Sequence, residues 1–286
     1  MSKYVAILLL TLQGVVMAEN KTGQSTPVIF KSEGFEIAGR FFEAGGEGPF
    51  PTVVLLQGMP GSDGDLFGLG EHLSENGMNA FTFNYRGTWK SQGKCLPSTS
   101  LEDVQAALDY VRTSEVATRF SIDTSHLSLV GYSYGGGMAL LGAARDSSIR
   151  NIVSIAGGDL NVIARLLETM PEFRLAHRQL IDAGLKQPGV FRGVESGEAY
   201  HQWILENRDQ FDLLQHAGAL SQRRVLLLGG WDDSSIPVEE HILPLYRAIQ
   251  QHSPEHLRIK AYECDHSLEG FRDQLVEDVS GWLAGD

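Results

Sequence analysis

A serine set between glycines is the most reactive pattern in the sequence, Gly131-Tyr132-Ser133-Tyr134-Gly135. It follows a run with strand character, 126–133, and comes just before one with helical character, 135–145. A sharp turn from strand to helix exposes the serine hydroxyl, and small flanking residues let neighbouring backbone approach closely. We therefore predict that Ser133 is a catalytic nucleophile; the alternative is an ordinary glycine-rich turn.

A serine hydroxyl is a weak nucleophile at neutral pH and requires a base, which in this kind of turn architecture follows an acid later in the chain. His266 comes just after the last predicted strand, in Cys264-Asp265-His266-Ser267, and is predicted to be that base. Three other histidines lie on or near the preceding predicted helix among polar neighbours, and we expect them at the surface: His241, His252 and His256.

Two neighbouring aspartates follow the strand predicted at 223–230, and either could hold the imidazole of the base. Asp233 is preferred because the pattern Asp-x-x-Ile-Pro leaves it in the loop and lets Pro237 begin the next helix. Asp232 stays open as the alternative acid.

The oxyanion formed when a serine attacks a carbonyl needs two backbone donors. One is predicted to be the N–H of Tyr134, the residue after the nucleophile. The other is expected from the loop Gln57-Gly58-Met59-Pro60-Gly61. Pro60 has no N–H, so Met59 is the predicted donor.

The elements that must position these residues alternate along the chain. Eight runs predict strands: 28–32, 35–42, 51–58, 79–85, 126–133, 151–157, 223–230 and 256–264. The first two read as a hairpin, and most of the others are separated by helical patterns such as 101–115, for which Ser100 is the predicted N-cap. Strands joined through helices predict an α/β fold with a mostly parallel sheet.

One interval breaks the alternation. Residues 158–220 carry helical patterns without a strand, which predicts a helical cap over the carboxyl edge of the sheet. The core is then expected at 19–157 and 221–286. The apolar residues of the cap either pack among themselves or face a substrate: Leu166, Leu167, Met170, Phe173, Phe191, Trp203, Ile204 and Phe211.

As an ordered set, the motifs Q-G-M-P-G-S, N-Y-R-G-T-W-K-S-Q-G, G-Y-S-Y-G-G, G-x-x-D-x-x-I-P and D-H-S resemble the α/β-hydrolase superfamily. The closest similarity is to its bacterial serine-aminopeptidase and prolyl-oligopeptidase-like branch, over about residues 28–284. The resemblance implies the α/β-hydrolase fold, with eight strands in the order 1-2-4-3-5-6-7-8. It also implies a Ser133, Asp233 and His266 triad with Met59 and Tyr134 at the oxyanion.

The chain departs from the pattern of that family at two positions. Gln57 stands where a histidine is usual, in a place that mostly shapes the loop. Trp89 stands where glycine is frequent, and its indole is expected to wall an acyl pocket. With Trp203 of the cap, Trp89 is therefore a predicted substrate-binding residue.

The N-terminus has the features of an export signal. Residues 1–18 combine Lys3, an apolar stretch and the small-x-small sequence Val16-Met17-Ala18, and they predict a cleaved signal peptide and a periplasmic or secreted protein. The alternatives are an uncleaved anchor and a buried strand. After cleavage we expect no stable membrane insertion. The formal charge of −13 disfavours binding to nucleic acid.

Export permits disulfides, and the chain has two cysteines. Cys95 follows the fourth strand and Cys264 ends the eighth. In the strand order that the resemblance implies, five strand spacings of about 4.8 Å separate them, whereas a disulfide tolerates about 7 Å between Cα atoms. Two unpaired cysteines are expected.

The predicted function is the hydrolysis of a carboxylic ester through an acyl-enzyme, with a small-molecule ester as substrate and neither cofactor nor metal. One alternative is a peptidase or amidase acting on a short peptide, whose free amine Glu168, Glu172 or Glu195 could anchor. Another is a non-catalytic binding protein on a hydrolase scaffold, which the presence of all three triad candidates disfavours.

Overall fold

The computed structural model describes residues 25–285, and the predicted signal peptide at 1–18 lies outside them. One sheet contains all eight predicted strands in the predicted order, β1-β2-β4-β3-β5-β6-β7-β8. The strands are β1 Ser25–Ser32, β2 Phe35–Phe42, β3 Phe50–Leu56, β4 Asn79–Phe83, β5 Ile122–Tyr132, β6 Asn151–Ile155, β7 Arg224–Gly230 and β8 Leu257–Tyr262.

The first three strands in this order pair antiparallel, and every later pair is parallel. The central strand β3 is apolar over consecutive positions and buried on both faces, as expected for a parallel strand covered by helices. Its last residue, Leu56, pairs with Gly131 of β5, and Tyr132 pairs with Ile155 of β6. The loop after β3 and the serine turn after β5 therefore leave the same edge of the sheet side by side.

Helices cover both faces of the sheet and follow its strands. They are α1 Leu69–Glu75, α2 Pro97–Arg112, α3 Ser114–Arg119, α4 Tyr134–Arg145, α5 Leu160–Thr169, α6 Pro171–Lys186, α7 Gly197–Asn207, α8 Ala217–Leu220, α9 Leu243–Gln250 and α10 Arg272–Ala284. No helix in residues 25–285 is both long and apolar enough to cross a membrane.

The prediction that Ser100 caps helix α2 is wrong. The helix begins one turn earlier, at Pro97, because proline fits the first helical position, where its missing N–H is not needed. The N–H of Leu96 is satisfied instead by the Thr99 hydroxyl at 2.9 Å. Ser100 is fully buried inside the helix, 3.7 Å from the Cys95 sulfur.

Between β6 and β7 the described chain forms helices and no strand of the sheet: α5, α6, α7, two short 3₁₀ turns and α8. Six of the eight apolar residues singled out from the sequence are buried, and Met170 and Trp203 are partly buried. Between α6 and α7, His177 Nδ1 lies 2.8 Å from His201 Nε2. Burial lowers the pKa of these histidines to about 3 and about 4, so both are neutral near pH 7.

Both cysteines are buried and unpaired, as predicted. Cys95 and Cys264 follow strands that lie far apart in the sheet order. Burial raises the pKa of Cys95 to about 12 and that of Cys264 to about 11. Neither thiol is therefore a competing nucleophile at neutral pH.

Glycine is required where α4 starts beside β3. A Cβ at Gly135 would lie 2.2 Å from the Leu56 carbonyl oxygen and 2.5 Å from that of Gln57. These are backbone atoms of the last residue of the central strand β3 and of the residue that follows it, and they cannot move aside without disturbing the sheet.

Gly135→Ala is therefore expected to lower the free energy of unfolding by roughly 2–4 kcal/mol, because the added methyl forces α4 away from β3. Denaturant titration followed by circular dichroism measures this. Gly45→Ala is the matched control, since Gly45 is exposed and a Cβ there would meet nothing within 4 Å. A Gly135→Ala loss no larger than that of the control would contradict the close approach.

Candidate active site

Ser133 occupies a strained turn between β5 and α4. Its φ of 56° and ψ of −119° lie in a region that residues with a side chain rarely adopt. Its N–H donates to the Ile155 carbonyl at 2.8 Å, and its own carbonyl accepts from the N–H groups of Gly136, Gly137 and Gly158. The neighbouring strand and helix thus hold the backbone, which turns the half-buried hydroxyl out of the sheet edge.

The three residues predicted as a triad meet in one hydrogen-bonded chain. His266 Nε2 lies 2.9 Å from Ser133 Oγ, and His266 Nδ1 lies 2.7 Å from Asp233 Oδ2. A carboxylate only accepts, so the Nδ1 proton points to Asp233 and Nε2 is left to accept the serine proton. This is the arrangement in which a serine hydroxyl can be deprotonated as it attacks.

The structure brings Asp233, and not Asp232, to the histidine. Asp233 is 3% exposed, and its other oxygen accepts the N–H groups of Ser235 and Ile236, each at 2.8 Å. These donors stabilise the buried carboxylate in its charged form and fix its orientation. Asp232 is exposed.

Tyr132 contacts the histidine, a feature that the sequence analysis missed. Its hydroxyl donates to the backbone carbonyl of His266 at 2.7 Å, and its ring centre lies 5.1 Å from the imidazole. Phe67 packs edge-on against the tyrosine ring, with ring centres 4.7 Å apart. Tyr132 therefore braces the loop that carries His266. Only its place in the serine motif was visible in the sequence.

The loop after β3 lies against the serine, as the oxyanion prediction requires. A Cβ at Gly58 would lie 3.5 Å from the Ser133 Cβ. Neither the Met59 N–H nor the Tyr134 N–H donates to an acceptor among the described residues. Gln57 stabilises the loop, since its side-chain amide donates to the Gly64 carbonyl at 3.0 Å.

The two predicted substrate-binding tryptophans lie in different settings. Trp89 is next to the loop after β3, and its indole N–H donates to the Pro60 carbonyl at 3.0 Å. Trp203 packs on Phe211 in the helical segment, with ring centres 5.7 Å apart, and its backbone carbonyl accepts the side-chain amide of Asn207 at 2.8 Å.

The prediction that His241 is a surface residue is wrong, whereas His252 and His256 are exposed as expected. His241 lies in a π-helical turn, Val238–Ile242, where its Nδ1 accepts the N–H of Asp159 at 3.1 Å. Burial lowers its pKa to about 3, so it is neutral. The contact ties the loop after β6 to the helix after Asp233. Apolar side chains on one helical face bury a histidine even between polar neighbours in sequence.

No group of three or more histidine, cysteine or acidic side chains in residues 25–285 is arranged to hold a metal ion.

Comparisons with known proteins agree with this architecture. A family model described as the alpha/beta hydrolase fold matches residues 51–194. A solved structure, Est1E of Butyrivibrio proteoclasticus with bound ferulic acid, superposes with a TM-score of 0.69 at 17% identity, over 90% of this chain and 98% of that one. At such low identity the likeness concerns the fold.

Two sequence relatives extend the comparison. An Escherichia coli protein named "Uncharacterized 31.7 kDa protein in traX-finO intergenic region" is 30% identical over 145 residues, 48% of this chain and 48% of that protein. Cutinase 2 of Thermobifida cellulosilytica is 28% identical over 137 residues, 41% of this chain and 50% of the cutinase. The chain spans about half the length of the curated relatives it matches.

Tyr132→Phe removes the hydroxyl that holds the His266 carbonyl and leaves the ring in place. We expect the free energy of unfolding to fall by about 1 kcal/mol, and Ser133 to react roughly 3–10-fold more slowly with a fluorophosphonate. Labelling kinetics and thermal unfolding measure the two effects. Tyr110→Phe is the control, because the Tyr110 hydroxyl makes no hydrogen bond to a described residue. An unchanged labelling rate would show that the bond does not hold the base.

Proposed function

The chain belongs to the alpha/beta hydrolase fold family, and from that premise we propose that it is a serine hydrolase that cleaves carboxylic esters. The observation that carries the proposal is the unbroken hydrogen-bonded chain from Asp233 through His266 to Ser133. A non-catalytic scaffold has no need to keep three side chains in this order at these distances.

The reaction follows from the geometry. Ser133 Oγ attacks the ester carbonyl while its proton moves to His266 Nε2, and Asp233 stabilises the imidazolium that forms. The N–H groups of Met59 and Tyr134 donate hydrogen bonds to the developing oxyanion. The imidazolium then protonates the leaving alcohol, and a water activated by the same histidine releases the acid.

An ester is favoured over a short peptide because none of the three acids predicted to bind a free amine offers a fixed, unpaired carboxylate. The Glu168 carboxylate is already paired with Arg208 at 2.6 Å, and Glu172 and Glu195 lie in exposed positions. An exposed acid without a fixed partner is a poor anchor for a free amine. The names of relatives point the same way, since they include cutinases and an Est1E complex with ferulic acid.

Two further parts of the proposal concern the rest of the chain. We propose that residues 158–220 act as a cap over the triad and that residues 1–18 direct export, with cleavage after Ala18. The first is supported by the helices that leave the carboxyl edge of β6, where α/β proteins bind ligands. The second is supported by the sequence pattern alone.

Ser133→Ala should reduce kcat for p-nitrophenyl acetate to below about a thousandth of the wild-type value, because the attacking oxygen is lost. The melting temperature is expected to change little, since the hydroxyl is half-buried and its backbone contacts remain. Parallel assays on acyl esters and aminoacyl amides then separate an esterase from a peptidase. Faster Ser133-dependent cleavage of the amides would reject the ester proposal and retain the hydrolase.

Asp233→Asn should lower kcat by roughly 100–10,000-fold, because an amide can present its NH₂ to the imidazole and favour the wrong tautomer. Asp232→Asn is the matched control, with the same chemical change one residue away on an exposed side chain, and is expected within about threefold of wild type. Steady-state kinetics on one ester gives both values. A larger loss for Asp232→Asn would move the acid by one residue.

A further inference from the structure

A short extended segment of the helical insertion is paired with the loop that follows β4. The N–H of Arg192 donates to the Gly87 carbonyl at 2.7 Å, and the Arg192 carbonyl accepts the Cys95 N–H at 2.7 Å. The fit leaves no room for side chains: a Cβ at Gly87 would lie 2.3 Å from the Arg192 oxygen, and one at Gly193 would lie 2.2 Å from the Cys95 oxygen. We call residues 190–193 the strap.

The strap holds Trp89 in an unusual conformation. The Trp89 N–H donates to the Val190 carbonyl at 3.2 Å, and the Trp89 carbonyl accepts from the Arg192 guanidinium at 3.2 Å. Its φ of 45° lies in the left-handed region, which is unfavourable for a residue with a Cβ. Trp89 therefore keeps this backbone because its neighbours hold it there.

The indole of Trp89 is directed at residues 57–63 of the loop after β3, which contain the predicted oxyanion donor Met59 and which we call the oxyanion loop. Its N–H donates to the Pro60 carbonyl, one residue beyond Met59. Other residues of the same segment bind the same loop: Asn84 donates to the Ser62 carbonyl at 2.9 Å, and Lys90 pairs with Asp63 at 2.6 Å. The loop after β4 is thus the support on which the oxyanion loop rests.

We propose that Trp89 is a positioning residue that orients the Met59 N–H through its hydrogen bond to the Pro60 carbonyl, and that Arg192 of the strap supports Trp89. The inference rests on the proposed function, because it assigns Met59 to the oxyanion. It also changes the role expected for Trp89. An indole whose N–H is committed to the protein acts on the transition state common to all substrates, and not on the choice of acyl chain.

The test is Trp89→Phe, which keeps an aromatic ring and removes the N–H, assayed on p-nitrophenyl esters from acetate to octanoate. We expect kcat to fall by about 10–100-fold by the same factor for every ester, with KM changed less than about threefold. The affinity for a trifluoromethyl ketone should weaken in parallel. Its carbonyl carbon bonds to Ser133 Oγ, the serine proton passes to His266, and the ketone oxygen becomes the oxyanion.

Two variants make the test specific. Trp282→Phe is the matched control, because that indole lies in α10 against Arg224 at the start of β7, and its N–H has no acceptor among the described residues. Its kinetics should equal those of wild type. Arg192→Gln changes an exposed side chain, so it tests the strap even if Trp89→Phe fails to fold. Its kcat should fall by about 2–10-fold, by the same factor for every ester.

The outcomes are distinct. A changed ratio between short and long esters in Trp89→Phe would overturn the inference and make Trp89 an acyl-pocket wall. A kcat of Trp89→Phe within threefold of the wild-type value would also overturn it. If Trp89→Phe misfolds, an Arg192→Gln variant with the wild-type kcat would overturn it in the same way. If the wild-type protein shows no ester turnover, or if its turnover persists in Ser133→Ala, the proposed function is overturned, and this inference with it.

Discussion

The left-handed backbone of Ser133 is the constraint on which the site depends. A serine in that conformation is unfavourable by roughly 1–3 kcal/mol, so the surrounding structure has to impose it. The carbonyl of β6 that binds its N–H and the glycines that bind its carbonyl do so. They reach it only because Gly131 and Gly135 pack against backbone without side chains. The reactive hydroxyl is a product of how closely β3, β5, β6 and the following helix approach.

The close approach of neighbouring loops at the sheet edge also determines the electrostatics of the site. The loops after β7 and β8 touch directly, with Asp232 N–H bonded to the Cys264 carbonyl at 3.0 Å, so that acid and base arrive side by side. Asp233 is buried but accepts two backbone N–H groups besides the imidazole, which offsets the cost of removing a carboxylate from water. The Asp233 carboxylate then selects the tautomer of His266 in which Nδ1 carries the proton. Tyr132 holds the backbone of that histidine from the strand below.

Polar contacts bind the helical insertion to this core. The strap connects it to the loop that supports the oxyanion loop, and Asp159 and His241 connect its first helix to the helix after the acid. Most of its large apolar side chains are buried among its own helices and against the core. An insertion bound in this way helps to hold the loops at the sheet edge in place.

The sequence alone determined the eight strands and the α/β class, and it pointed to Ser133, to His266 and to a pair of aspartates at the sheet edge, because strand and helix periodicities are local and the motifs lie at strand ends. The packing of elements distant in sequence decided the rest. Asp233 rather than Asp232 reaches His266 because backbone N–H groups of its own loop hold it, and a one-residue difference in direction has no signature in composition. His241 is buried and accepts the N–H of Asp159 from the loop after β6, a contact that its polar neighbours in sequence do not reveal. Trp89 turns its N–H to Pro60 because the strap, about a hundred residues away in sequence, fixes its backbone. Periodicity shows which face of an element is apolar, whereas the partner of each polar atom exists only once the chain has folded.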